Sequence, residues 1–545
     1  MTGQDVIKRF QHLQTLRTPH EWLWDEIGFL TNARYFNRSK GSKTHGMVPH
    51  SEIYDTTLRT KSRMQANGIT SMLFPRDRDW LTLNPPRQFR ENNQAKKIYR
   101  EAAEELTFRL RQSNFHHQNH GVILHRSQLG TGTMRMETIV DDYGDRVFNF
   151  HRYEPLTYLI DHDSRSRVQT FGCEYNWSAF QAAQEWGIEN LSAKGQKQAK
   201  DTNQRGNLNK YMMLIERRPD WERKEGKGNK AMRYRVMVVE EDKHVILDSG
   251  NDVFQIIASR YETGDSPWGY SPAWEILPDA YKANFAAKFM MVMGERAAVP
   301  PVMAPASMKE EGIGLNGGEV TYVSDTNPNL WPKELASQSN YAVGMDVWKQ
   351  LQDSIDEAFH GNLFNMFSRQ PRERTATEIN AMQGELNAQL DPTVTALTQD
   401  HTEPVVQWAF HEMLESGQFE MPDEYINPNT QKAYLPGFAY DNAITMNHER
   451  GKAIEAMGII DAMVGLQQLG ADVDVVNLKD AAMRIWRAHG QDEDELYSEE
   501  EFLQRAEEKA QAQQAAQQME MLQQGAGAAK DAAAAGFNPQ EMIAS

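Results

Sequence analysis

Residues 278–298, PDAYKANFAAKFMMVMGERAA, place apolar side chains on nearly every side of a helix: Ala283, Phe285, Ala286, Phe289, Met290, Val292 and Met293. A surface helix needs one apolar stripe, whereas a helix that is apolar nearly all round needs neighbours on more than one side. Lipid would serve, but FAAKFMMVM at 285–293 falls short of the roughly 20 residues that cross a bilayer. It also contains Lys288 and is soon followed by Glu295 and Arg296. The expected neighbours are therefore protein, and no membrane partner is expected. Pro278 falls in the first turn, where its missing N–H costs little.

The next segments narrow the architecture. Residues 299–340 read as loop and short strand, with Pro300, Pro301 and Pro305, a glycine-rich turn at GIGLNGGE and a strand at EVTYVS. A second helix is expected over 342–366, with Trp348, Leu351, Ile355, Phe359, Leu363 and Met366 in 3/4 spacing. Its other face is acidic: Asp346, Asp353, Asp356 and Glu357. The loop FSRQPRERTATEI at 367–379 then supplies Arg369, Arg372 and Arg374. Thr375 and Glu378 form a capping box that starts another helix. That helix runs through Ile379, Met382, Leu386, Leu390, Val394, Leu397, Val405, Trp408 and Met413 to Gly417. Pro392 and Pro404 lie inside it and are expected to kink it.

The remainder reads as mixed. Residues 1–115 are mostly helical in pattern, broken by Pro75, Pro85 and Pro86 around LFPRDRDWLTLNPP. From about 118 to 258 the pattern is strand-like, as in VILHRSQLGTGTMRMETIV and YRVMVVEEDKHVILDSG, with GTGT at 130–133 expected at a bulge or hairpin. The polar stretch NLSAKGQKQAKDTNQRGNLN near 190–210 reads as an exposed loop. Helical patterns return from about 449, ending in an Ala/Gln-rich tail that reads as a solvated helix or frayed end. The fold class expected is α+β, mainly helical.

Charge and motif content exclude several functions. The 545 residues carry a formal net charge of -18, which disfavours wrapping nucleic acid by counterion release, so contact with DNA would be local. Residues 491–545 hold 12 acidic and 3 basic side chains, half of that excess. The single cysteine, Cys173, excludes an intramolecular disulfide and suits a buried thiol in a reducing compartment. The N-terminus, MTGQDVIKRFQHLQ, lacks the apolar core of a signal peptide. RSKGSKT at 38–44 lacks the first glycine of a phosphate loop and reads as a solvated basic loop. FHHQNH brings His116, His117 and His120 close together without a carboxylate at metal-ligand spacing, so packing histidines are the default. No nucleophile elbow is present. No cofactor, no metal and no catalysis are expected.

The order of segments carries a resemblance. The helix 278–298, GGEVTYVS, the helix ending IDEAFHGNLF, and RTATEINAMQGELNAQL followed by a helical tail resemble the portal, or head-to-tail connector, proteins of short-tailed, T7-like bacteriophages. The stretch IYDTTLRTKSRMQANGITSMLFPRDRDWLTLNPP is similar to the same family's early helix and its Trp-containing exit.

The resemblance implies a portal fold assembled as a ring of about twelve copies at one capsid vertex, the channel for packaging and ejecting double-stranded DNA. It implies a wing over 1–277, stem helices at 278–298 and 342–367, a clip at 299–341 and a channel loop at 368–374. A kinked wing helix at 375–416, wing completion at 417–448 and a crown and acidic tail, open to forming a barrel, at 449–545 would follow. Partners implied are further copies of the chain, DNA without sequence preference, the terminase motor, the major capsid and scaffolding proteins and a tail adaptor. The site is the virion, reached by assembly in the host cytoplasm.

Under this reading Phe285, Phe289, Met290, Met293, Trp348, Leu351, Ile355 and Phe359 pack the stem helices within and between subunits. Asp346, Asp353, Asp356 and Glu357 line the channel. Arg369, Arg372 and Arg374, less Glu373, would form a belt of roughly +24 that touches phosphates. Bridging between subunits, for Arg374 above all, is the alternative role for these arginines. Another phage structural protein, such as a head-tail adaptor or an internal core protein, is the alternative for the whole chain.

Overall fold

The structure is a computed structural model and describes residues 1–31, 52–90, 92–225, 227–298, 302–303, 333–334, 341–365, 389–427 and 432–440. The chain divides into two compact units, Met1–Ile444 and Thr445–Ser545, and every described residue belongs to the first. The basic loop at 38–44, the strand at EVTYVS, Arg369, Arg372 and Arg374, the capping box at Thr375 and everything from 441 onward lie outside the described residues.

The chain opens with α1 (Gly3–Thr31) and α2 (Thr57–Leu73), then a short strand β1 (Leu81–Asn84). Two helices follow, α3 (Asn93–Gln112) and α4 (Phe115–Leu129). The Asn92 side chain accepts from the N–H groups of Gln94 and Ala95 at the start of α3, and α3 buries Tyr99, Ala102, Ala103, Leu106 and Leu110 on one side. This is the capped, one-sided pattern that makes a helix legible.

The residues after 118 depart from the expected strand. They form α4 up to Leu129, and the helix stops at Gly130, whose φ of 86° lies in the left-handed region that favours glycine. The pattern misleads because polar as well as apolar residues of α4 are buried: His116, Asn119, His125, Arg126, Ser127 and Gln128. With polar side chains on the buried side as well, the 3.6-residue period has little hydropathy contrast to show itself. GTGT is therefore the joint between a helix and a strand, not a bulge or hairpin.

Seven strands and three short helices come next: β2 (Thr131–Val140), β3 (Arg146–Arg152), β4 (Tyr158–His162), β5 (Val168–Ser178), α5 (Ala179–Trp186), α6 (Ala193–Lys200), β6 (Leu208–Arg217), α7 (Asp220–Glu225), β7 (Tyr234–Glu240) and β8 (Val245–Asn251). β9 (Ile256–Arg260) returns to pair with β2, giving an antiparallel sheet of order β3-β2-β9 beside an antiparallel sheet of order β4-β5-β6-β7-β8. The stretch expected to be an exposed loop contains α6. Ser192 caps it by accepting from Gly195 N–H at 3.2 Å, and Ala199 gives it a buried contact.

Cys173 is buried in β5, where desolvation pushes its thiol up to about 12. α1 lies across the five-stranded sheet with Val6, Phe10 and Leu13 against Leu159, Met212, Leu214 and Val239. Arg9 pairs with Asp161 at 2.8 Å, and Arg17 donates to the carbonyls of Leu156 and Tyr158.

The last described elements begin with α8 (Pro272–Glu275) and the long α9 (Leu277–Ala298). β10 (Val302–Met303) pairs antiparallel with β11 (Lys333–Glu334). The helix expected over 342–366 is two helices, α10 (Tyr341–Ala358) and α11 (Gly361–Asn365). His360 takes a φ of 53° at the break, a left-handed backbone conformation that cannot continue a right-handed helix, so α10 ends before it.

The long C-terminal helix of this unit consists of α12 (389–397), a π-helical turn at Thr398–Thr402 and α13 (Glu403–Glu415). The irregularity sits just upstream of Pro404, whose missing N–H the wider turn accommodates. Asp400 in that turn is held by Arg260, with contacts of 2.8 and 3.2 Å. Three short strands are the last described elements, β12 (Ile426–Asn427), β13 (Lys432–Ala433) and β14 (Gly437–Tyr440), the last antiparallel to β1. Trp80, Phe115, Phe150, Trp408 and Tyr425 share the core beneath α3, α4 and α13.

Candidate functional site

The helix pair α9–α10 gathers most of the residues singled out in the sequence. Asp279 near the start of α9 accepts from Ser354 Oγ at 3.4 Å, while Met290 further on lies against Gly344 near the start of α10. The two helices therefore run antiparallel. Ala280, Ala283, Ala287 and Met290 make the covered side of α9, and Ile355 the covered side of α10, with buried Phe359 just past the end of the helix and half-buried Trp348 and Leu351 flanking.

α9 also has an uncovered side. Phe285 is 64% exposed, Phe289 57% and Val292 39%, and the two phenyl rings sit with centroids 5.9 Å apart. These positions follow one another at helical spacing opposite the alanine stripe, with Met293 half-buried beside them. Met290, Ile355 and Phe359 are already packed within the chain, so Phe285 and Phe289 are the residues of the expected packing set that remain available to a neighbour.

The acidic face of α10 is narrower than the sequence suggests. Asp346, Asp353 and Glu357 are exposed in one line, whereas Asp356 is 8% exposed and forms an ion pair with Lys61 of α2. A turn of 100° per residue carries Asp356 off the solvated line, and a buried carboxylate is tolerable there because a cation meets it.

A polar clamp holds the pair to the body. Asp55 is 7% exposed and accepts from Thr57 N at 2.8 Å, Trp348 Nε1 at 2.8 Å and Gln352 Nε2 at 3.0 Å. Asn284 Oδ1 accepts from the backbone N–H groups of Tyr54 and Asp55 at 2.7 and 3.0 Å, and its Nδ2 donates to Glu52 O at 3.1 Å. Lys288 stands 5.5 Å above the Tyr54 ring. Segment 52–57 is thereby laced to both helices. Sequence reading missed these residues; the available signals were Asp-x-Thr at the start of α2 and a lone Asn inside an apolar helix.

The three histidines of α4 sit in different settings, and His117 is exposed. His116 is buried, its pKa held down to about 4 by desolvation with Arg76 and Arg111 adding to it, and His120 Nε2 lies 2.7 Å from Asn67 Oδ1. Among the described residues no cluster of His, Cys, Asp and Glu could hold a metal ion, and no helix is long and apolar enough to cross a membrane.

Two comparisons bear on this arrangement. The chain is 23% identical over 438 residues to the probable portal protein of Bordetella phage BPP-1, covering 77% of this chain and 76% of that protein. It is 22% identical over 432 residues to the portal protein of Salmonella phage epsilon15, with 77% and 76% covered. The model of the family described as bacteriophage head to tail connecting protein matches residues 3–497, so the chain is a member of that family.

Proposed function

We propose that this chain is a portal protein: a ring of about twelve subunits at one capsid vertex, through which double-stranded DNA is packaged and ejected. The supporting observation is the uncovered Phe285–Phe289–Val292 stripe on a helix whose opposite side is packed within its own chain. Apolar side chains aligned in this way are stable in water only when another surface covers them, and a cyclic ring supplies an identical neighbour to every copy.

In this reading α9 and α10 are the stem, 299–341 the clip that meets first the terminase motor and then the tail adaptor, and 449–545 the crown. The wing comprises 1–277, 375–416 and 417–448 and meets the capsid and scaffolding proteins. Asp346, Asp353 and Glu357 face the axis, where carboxylates repel phosphates and keep DNA from adhering. Arg369, Arg372 and Arg374 form the basic belt that touches the backbone. The role is structural, with no catalysis and no cofactor, and the motor's nucleotide chemistry belongs to a separate protein.

Electron microscopy of the purified protein, with particle mass measured in parallel, tests the proposal. Rings of about twelve chains with an open axis are expected. A persistent monomer or a closed assembly would overturn it and return the chain to the adaptor or core-protein class.

A further inference from the structure

α2 and α10 lie side by side, joined by the Lys61–Asp356 ion pair. Lys61 marks the flank of α2 that faces α10. Arg59 and Arg63 are each two residues from it, about 200° round the helix at 100° per residue, and so point away from α10. Both are exposed, and neither has an ion-pair partner among the described residues. They border a surface groove of about 530 Å³, lined also by Thr56, Thr60, Met64 and Asn67.

α10 carries the opposite charge in the same spacing. Asp353 and Glu357 are four residues apart, as are Arg59 and Arg63, and are turned about 60° and 100° away from Asp356. Both are exposed and without an ion-pair partner among the described residues, and Lys349, one turn before Asp353, makes no ion pair with it. One two-helix unit therefore presents a cation pair beyond α2 and an anion pair on the outer side of α10. Head-to-tail cyclic packing brings two different surfaces of the same chain together at every interface, and these surfaces match in charge and in spacing.

The geometry points to a second copy of this chain as the occupant of the groove: Arg59 and Arg63 of one subunit take Asp353 and Glu357 of the next. This rests on the ring proposed above and refines it. The carboxylates stay at the channel wall but are partly neutralised by the neighbour, leaving Asp346 as the carboxylate of the line that acts on DNA unpaired. The contacts select the partner and set its register.

Two charge-reversed variants of the full chain test this, R59E/R63E and D353K/E357K. Each places like charges across every interface, and each is expected to raise the concentration at which half the chains are in rings by about tenfold or more. The residues are exposed, so circular dichroism and thermal unfolding of the unassembled chains are expected to match the parent. Mixing equal amounts of the two variants is the decisive step. The reversed edge of each then meets the reversed edge of the other, and the unreversed edges also meet, so rings alternating the two chains are expected, with equal amounts of each by mass. Rings forming from either variant as readily as from the parent would overturn the inference, as would two well-folded variants that fail to assemble on mixing. Failure of the parent itself to form rings would count against the portal reading, which separates the two outcomes.

Discussion

Replacing Asp55 by alanine is the most demanding perturbation of the clamp that holds the helix pair. The carboxylate accepts from Thr57 N, Trp348 Nε1 and Gln352 Nε2, at 2.8, 2.8 and 3.0 Å, in a site only 7% exposed. Hydrogen bonds to a charged acceptor each contribute about 1.5–3 kcal/mol, but Gln352 retains Thr57 Oγ1 at 3.1 Å and the helix N-terminus can admit water. The donor without an alternative is Trp348 Nε1, so a loss of about 3–4 kcal/mol is expected rather than the full sum. Because a chain of two units need not unfold in one step, hydrogen exchange is the suitable assay. Amides of 55–62 and 345–356 are expected to exchange about 100-fold faster or more, while those of β5 and β6 stay unchanged. An acceleration below about fivefold across 345–356 would refute the clamp as the element that docks α10.

Three further outcomes follow from the same geometry. Phe289→Asp is expected to leave the monomer folded, since the side chain is 57% exposed, yet to abolish rings, because an unpaired charge buried between subunits costs several kcal/mol; light scattering after size exclusion reads this directly. R369A/R372A is expected to leave ring assembly intact and to shorten or loosen the packaged DNA, measured as genome length retained per particle; unchanged packaging would remove the proposed belt from the mechanism. His401, fully buried with Nε2 2.6 Å from Asn119 Oδ1, has its pKa lowered to about 3, first by desolvation and then by Arg126. The unfolded chain therefore binds this proton more readily, and stability is expected to fall as pH drops from about 6.5 toward 3. His401→Asn is expected to flatten that slope in urea titrations across the window.

The elements legible in the sequence were those with one-sided burial. α3 shows itself through a regular apolar stripe within the helical pattern of 1–115, and α10 through Trp348, Leu351 and Ile355, with Phe359 just past its end. α9 was legible by its excess of apolar residues, which asked for more neighbours than one chain supplies, and Phe285 and Phe289 are where the excess remains exposed. α4 was misread because its polar residues are buried too: Arg126 donates to Arg260 O at 3.0 Å and Gln128 to Ser62 Oγ at 3.1 Å. Local hydropathy contrast disappears when polar groups are satisfied by distant parts of the chain.

From sequence alone came the helix-rich α+β class, the absence of a phosphate loop and of a cysteine framework, and the order of segments that links this chain to head-to-tail connectors. Those properties are carried by composition and by neighbours along the chain. Tertiary structure decided which of the acidic residues of α10 meet water. Asp346, Asp353 and Glu357 do, while Asp356 turns inward to Lys61, and Asp55 becomes the anchor of Trp348. These are contacts between residues nearly 300 positions apart. A charge's role depends on the partner that folding brings to it, and periodicity along one helix cannot name that partner.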